Sequence, residues 1–184
     1  MRHPLLEQLP VPEMESLARQ ADLALMALVA GLLVTAAIQD VAARRIPNRL
    51  VAAVTGLAVF RLALMMMAGA PALSAVVWPA LTGLGVFLAG LGLFRAGLMG
   101  GGDVKLLSAL ALFIGPAALP PFLIMTALAG GLLAAGMMGT RLIARRQSAA
   151  MAEAPPATVT LPYGVAISAG GLWVLARMAA ESAF

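Results

Sequence analysis

The segment Gly100-Gly101-Gly102-Asp103-Val104-Lys105-Leu106-Leu107 places three glycines, an aspartate and a lysine between two long apolar runs. A charged side chain at membrane depth is energetically costly and usually marks a functional position. The sequence contains a second acid in a similar place, because Asp40 follows one apolar run and precedes a cluster of arginines before the next run. We therefore predict that Asp40 and Asp103 work together.

The composition is typical of a polytopic membrane protein. Of the 184 residues, 62% are hydrophobic and 11% are charged, and the mean hydropathy is +0.98. Soluble domains have about a quarter of their residues charged, so this chain is too apolar to be one. It has no cysteine, and its single histidine, His3, lies near the start. These counts exclude disulfides, thiolate catalysis and a histidine-built metal site, and we expect neither a cofactor nor a metal.

The apolar runs predict an all-α membrane protein, a bundle of about six transmembrane helices that uses nearly all of the chain. A polar N-terminal extension, residues 1–21, precedes the six-helix domain, residues 22–184. Within the extension, Pro12 followed by Glu13 and Glu15 indicates a helix start that could continue into the first span. The alternative interpretation of the extension is a poorly ordered tail. The predicted spans are residues 23–39, 50–68, 75–94, 104–119, 120–140 and 161–179.

The basic residues predict the orientation. The loops 40–49, 95–105 and 141–160 carry eight of the twelve lysines and arginines, whereas the connections on the opposite side carry none. By the positive-inside rule both termini lie outside, and the basic loops and both aspartates face the cytoplasm. This placement favours membrane orientation over nucleic-acid binding as the reason for the net charge of +4. Arg61 and Arg177 lie toward the outer ends of their spans, and we expect both to extend to the outer interface.

Each aspartate has a structural and a functional interpretation. Asp103 could be an N-cap, and Asp40 could form a salt bridge with Arg44 one helical turn later. The functional interpretation is aspartyl proteolysis, in which two neighbouring carboxylates share a proton. One then acts as general base on a water, while the other polarises the scissile carbonyl. Nearby glycines would let a substrate backbone approach, and Lys105 could orient one of the acids.

Three motifs, in this order along the chain, resemble those of the type IV prepilin peptidases, a group of GxGD intramembrane aspartyl proteases. Asp40 followed by Ile46-Pro47-Asn48 is similar to the first catalytic aspartate of that family and its downstream (I/L)-P-(N/D) element. The segment from Gly100 to Leu106 resembles GxGD-x-K-L, and Pro162-Tyr163-Gly164 resembles the segment that opens the last helix. The resemblance implies that Asp40 and Asp103 are the catalytic pair. The residues expected to shape the site are Gly100, Gly102, Lys105, Pro47, Asn48, Pro162, Tyr163 and Gly164.

The resemblance also implies a substrate and a location. The expected enzyme removes the short basic leader from prepilins at the cytoplasmic face of the bacterial inner membrane, with the lipid bilayer and the prepilin as its partners. Long members of the family have an additional cytoplasmic segment, often with paired cysteines, that is associated with N-methylation. The short connection after Asp40 resembles instead the peptidase-only form of Flp/Tad-type pilus systems, so N-methyltransferase activity is not expected.

Two other classes of function use the same acids. A small proton-coupled carrier or channel could use Asp40 and Asp103 as relay groups, although the sequence shows no convincing internal repeat of the kind that carriers have. A non-catalytic subunit of a secretion apparatus could have the same fold without cleaving anything.

Overall fold

The computed structural model describes residues 11–147 and 163–182, and all regular structure in these two ranges is helical. Helix α1 continues without a break from the predicted helix start through the first apolar run. A short π-helix, Leu73–Val77, leads directly into α3. The α-helices are α1, Val11–Ala43; α2, Asn48–Met67; α3, Trp78–Arg95; α4, Gly101–Gln147; and α5, Tyr163–Glu181.

Five of the described helices are long and apolar enough to cross a membrane. Their outward faces carry many large apolar side chains, including Met67 and Leu132, which are 75% and 77% exposed. A patch of this kind suits contact with lipid tails rather than water. The predicted class, an all-helical membrane protein, is confirmed. The helix count differs from the predicted six because the predicted fourth and fifth spans form one element, α4. The candidate spans are Ser16–Ala43, Asn48–Met67, Leu73–Arg95, Gly101–Thr140 and Tyr163–Glu181.

Helix α4 is interrupted at Gly115, whose backbone has φ 73° and ψ −177°. Residues with a Cβ rarely adopt a positive φ of this kind, so glycine is suited to this position. Pro116 follows at once and has no N–H to continue the helical pattern across the break. The interruption therefore divides α4 into a first half, residues 101–114, and a second half, residues 116–147.

Contacts with α5 show that the two halves of α4 run in opposite directions. Where α5 contacts the first half of α4, residue numbers increase in the same direction along both helices. Where α5 contacts the second half, residue numbers increase in opposite directions along the two helices. The contacting pairs are Leu110 with Gly171 for the first half, and Thr126 with Gly170 and Gly130 with Ala166 for the second. Ile114 and Val174, further along the first half and α5, line the same cavity. Helix α4 is thus a helical hairpin whose turn lies at Gly115.

Small residues allow close packing around the first half of α4, which lies among α2, α3 and α5. A Cβ at Gly83 would lie 3.0 Å from the Cβ of Leu112, and a Cβ at Gly90 would lie 2.7 Å from a methyl group of Val104. Membrane helices often associate through small residues of this kind, since packing rather than the hydrophobic effect drives their association.

Arg61 does not extend to the outer interface as predicted, because it is only 8% exposed and fully engaged inside the bundle. Its Nε and Nη2 donate to Oδ1 and Oδ2 of Asp22 at 2.6 and 3.0 Å. Its Nη1 donates to the carbonyl oxygen of Phe113 at 2.9 Å. That carbonyl lies two residues before the break at Gly115, where regular helical hydrogen bonding is interrupted, so the guanidinium supplies a donor there. Arg177, in contrast, has a side chain that is 57% exposed and pairs with Glu181, one helical turn later.

Candidate active site

Asp40 is buried near the C-terminal end of α1 and is held by the beginning of α5. The residue is 5% exposed, and its Oδ2 accepts a hydrogen bond from the backbone N–H of Val165 at 3.3 Å. The first N–H groups of a helix lack intrahelical partners and form the positive end of its dipole. An acid near the end of α1 faces the negative end of that helix, and the start of α5 offsets this unfavourable position.

Gly164 allows α5 to approach Asp40 this closely. A Cβ at this position would lie 2.8 Å from Oδ2, 2.9 Å from Cγ and 3.0 Å from Cβ of Asp40. Real Cβ atoms are almost never found at such distances. The structure therefore places Gly164, predicted to shape the site, directly against Asp40. Tyr163 precedes it and is half-buried, whereas the predicted Pro162 lies outside the described residues.

Asp103 is the third residue of α4, and its carboxylate points back over the start of that helix. A Cβ at Gly100 would lie 2.7 Å from Oδ2 of Asp103, and the backbone of Gly100 forms a hydrogen bond with the carboxylate. This is the acid's half of a capping box, in which the residue at the third helical position binds the backbone N–H before the helix. The alternative that Asp103 is the N-cap is therefore wrong, since Gly100 occupies the position before the helix begins.

The two carboxylates, from α1 and α4, lie at the same end of the bundle and are close enough to interact electrostatically. Each is positioned by backbone groups at the start of a helix, with Val165 serving Asp40 and Gly100 serving Asp103. Two acids placed in this way can supply a general base and a general acid for one reaction.

The connection between α1 and α2 packs against the start of α4. A Cβ at Gly102 would lie 3.3 Å from the Cβ of Ile46 and 3.4 Å from its carbonyl oxygen. Pro47 then precedes the first residue of α2, and its carbonyl accepts a hydrogen bond from the N–H of Leu50 at 3.0 Å. The predicted site-shaping residue Gly102 therefore contacts Ile46, the residue before Pro47 in the connection that leads into α2.

Lys105 binds Asn48 rather than an acid. Its Nζ donates to Oδ1 of Asn48 at 3.2 Å, which ties the start of α4 to the start of α2. Lys105 is two residues after Asp103, so the two side chains point about 200° apart around the helix axis. The idea that Lys105 orients an acid is not supported by this geometry. The hydrogen bond from the backbone N–H of Val165 to Asp40 was not predicted from the sequence. Almost every residue has a backbone N–H, so the residue type at position 165 does not indicate this bond.

Among the side chains that the structure describes, in residues 16–140 and 163–182, no group of three or more His, Asp or Glu is placed so that it could hold a metal ion.

Comparison with known proteins gives one family. The profile of the type IV leader peptidase family matches residues 27–135, which include Asp40 and Asp103 and make up more than half of the chain. No curated protein matches the chain significantly. No solved structure does so either.

Proposed function

Because this chain belongs to the type IV leader peptidase family, we propose that it is a membrane-embedded aspartyl endopeptidase whose catalytic pair is Asp40 and Asp103. The family supports a leader-peptidase type of activity in general. The observation that supports the assignment to these two residues is that both lie at one end of the bundle, where the start of α5 contacts Asp40 and the start of α4 carries Asp103. A purely structural acid would not need to be buried beside another acid, as Asp40 is.

The proposed mechanism requires only the two carboxylates and a water. The ionised carboxylate takes a proton from the water, whose oxygen attacks the carbonyl carbon of the scissile peptide bond. The protonated carboxylate donates a hydrogen bond to the carbonyl oxygen and stabilises the tetrahedral oxyanion as it forms. Proton transfer to the leaving nitrogen then allows the C–N bond to break. We assign the roles of base and acid to the pair rather than to either residue.

The proposed substrate is a type IV prepilin of the Flp type, cleaved at the junction between its short basic leader and its apolar helix. The short form of the enzyme is supported by the connection between α1 and α2, which is only residues 44–47. This connection has no room for an additional cytoplasmic segment. We accordingly expect peptidase activity without N-methylation.

The proposed topology has six membrane passes, with the dyad facing the cytoplasm, both termini outside, and the protein in the bacterial inner membrane. A straight helix over Gly101–Thr140 would be about 60 Å long, twice the thickness of the hydrocarbon core. The reversal at Gly115 makes each half of α4 a separate pass. Residues 101–114 span only about 21 Å, which would leave Asp103 recessed below the inner interface.

The chain lacks cysteine, so single cysteines report membrane sidedness without background. We expect Leu98→Cys to react with a membrane-impermeant maleimide only when the cytoplasmic face is exposed. Ala70→Cys, in the turn after α2, should react only from the opposite face. Labelling of both positions from the same face would overturn the proposed topology.

The activity is tested by leader removal from an Flp-type prepilin in membranes, with wild type compared with Asp40→Asn and Asp103→Asn. Asparagine keeps the size of the side chain but cannot act as the base. Glu181→Gln is the matched control, because its exposed carboxylate pairs with Arg177 and lies at the far end of α5. We expect each aspartate variant to lose cleavage while it remains folded, and the control to cleave like wild type.

Cleavage by both aspartate variants would refute the dyad. Ion flux or uptake by a wild-type protein that cleaves nothing would favour a carrier or channel. A folded wild-type protein that does neither would favour a non-catalytic assembly subunit.

A further inference from the structure

Ser168 is a polar residue in the interior of α5 that the proposed mechanism does not use. It is 1% exposed, and its hydroxyl oxygen forms no hydrogen bond within the described structure. A buried hydroxyl without a partner costs about 1–3 kcal/mol relative to one that is paired. Ser168 is therefore expected to have a hydrogen-bond partner or a functional role.

The other helical hydroxyls of this chain show that such a bond is easily made. Four of them donate to the carbonyl oxygen four residues earlier, which is the usual solution for Ser and Thr inside helices. These four are Thr35, Thr55, Thr82 and Ser108, with donor–acceptor distances between 2.7 and 2.9 Å. Ser168 lies four residues after Gly164 but forms no such bond.

The neighbours of Ser168 on its own helix face show where it lies. Residues at spacings of three and four lie on the same helix face, and Ser168 shares this face with Gly164 and Gly171. Gly164 contacts the side chain of Asp40 on α1, and Gly171 contacts the side chains of Leu33 on α1 and Leu110 on α4. Ser168 therefore lies where α5 packs against α1 and the first half of α4, about one helical turn along α5 from the contact with Asp40.

The separation suits a single bridging water. One helical turn is about 5.4 Å, and helical side chains lean toward the N-terminus, which here means toward Gly164. Two successive hydrogen bonds through one water span about 5.6 Å, since each O···O distance is about 2.8 Å. Buried waters are commonly held by polar groups that would otherwise be unpaired.

We propose that Ser168 is a positioning residue, which donates to a buried water that in turn donates to the carboxylate of Asp40. The N–H of Val165 binds Oδ2 of the same carboxylate from the start of α5. The water would add a second donor from deeper in the bundle and fix the orientation of the carboxylate. This inference rests on the proposed catalytic role of Asp40.

The test is Ser168→Ala, measured by the kinetics of prepilin cleavage and by thermal unfolding of the purified protein in detergent. We expect kcat to fall about tenfold, equivalent to about 1.4 kcal/mol of transition-state stabilisation. KM should stay within about twofold, because Ser168 acts on Asp40 and does not touch the substrate. The unfolding temperature should stay within about 4 °C of wild type, which corresponds to about 1 kcal/mol for a chain of this size.

Thr126→Val is the matched control. The Oγ1 of Thr126 is the other buried side-chain oxygen without a partner among the described residues, but it lies against Gly170, on a different face of α5. Its removal deletes the same kind of group at nearly constant volume. We expect kcat and KM to remain within about twofold of wild type.

A wild-type kcat in Ser168→Ala would overturn the inference, as would an increase in KM alone or a fall in kcat that Thr126→Val shares. A loss of kcat together with a fall of about 10 °C or more in unfolding temperature would indicate a structural role and would also overturn it. Asp40→Asn, assayed in parallel, distinguishes a failure of the proposed function from a failure of the water bridge. If that variant cleaves, the proposed function itself fails, whereas a dead Asp40→Asn beside a fully active Ser168→Ala refutes the water bridge alone.

Discussion

The contact between Gly164 and Asp40 predicts that adding one methyl group will damage catalysis more than stability. In Gly164→Ala the new Cβ would lie 2.8 Å from Oδ2, whereas ordinary contact begins at 3.4 Å, so the groups must separate by about 0.6 Å. The clash also involves the Cβ of Asp40, at 3.0 Å, which is attached directly to the backbone of α1. Rotation of the carboxyl group alone therefore cannot relieve it.

The expected loss of activity follows from the size of this displacement. A misplacement of about 1 Å in a catalytic group can lower the rate by about 10²-fold, so we expect kcat to fall between about 10-fold and 10²-fold. Overpacking of a buried contact costs about 1–3 kcal/mol of stability, so the variant should remain folded.

The assay is prepilin cleavage in membranes at matched enzyme levels, with Gly92→Ala as the control. A Cβ at Gly92 meets nothing within 4 Å, and Gly-to-Ala changes inside helices are slightly stabilising. The control should therefore cleave at the wild-type rate. Cleavage by Gly164→Ala within about twofold of wild type would refute the idea that the placement of Asp40 depends on the close approach of α5.

Three further predictions concern the supports around the site. Arg61→Met should destabilise the fold by about 3–5 kcal/mol because it leaves Asp22 without its cation. In a thermal unfolding assay, the double variant with Asp22→Leu should recover much of this loss. Additive losses of stability in the double variant would contradict the prediction. Lys105→Met and Asn48→Ala should each lower the rate of cleavage by less than tenfold, and the double variant should be little worse than either single variant, since both remove the same hydrogen bond. Gly170→Ala should lower the unfolding temperature, because its Cβ would lie 2.8 Å from the backbone nitrogen of Thr126, and an unchanged temperature would show that the second half of α4 can move away.

The class of the protein and its two acids could be predicted from the sequence because both depend on local information. Long apolar runs identify membrane helices irrespective of how they pack. The acids were recognisable because Asp40 and Asp103 lie at the ends of such runs, where a charged side chain is energetically costly and usually has a function. The turn of the hairpin at Gly115 and Pro116, in contrast, is seen only from the contacts of α4 with α5.

The remaining features depend on which helices meet, and the sequence pattern does not encode this. Arg61 was predicted to extend to the outer interface because the sequence shows how near it lies to the end of its span. The sequence does not show that Asp22 and Phe113 lie beside it in the fold. Asp22 lies on α1, and Phe113 exposes its carbonyl only because α4 breaks nearby. Similarly, the position of Asp103 relative to the helix start depends on the residue at which α4 begins, and sequence patterns leave such boundaries uncertain by several residues.

The contact between α5 and Asp40 also has a consequence for biosynthesis. Chains emerge from the ribosome N-terminus first, so Asp40 and Asp103 are synthesised and inserted before the backbone N–H of Val165 exists. Until α5 docks, the carboxylate of Asp40 lacks the donor that holds it and the helix start that favours its charge. A nascent or truncated chain would therefore carry both acids without an ordered site, and proteolytic activity would begin only once the last described helix had been inserted and packed.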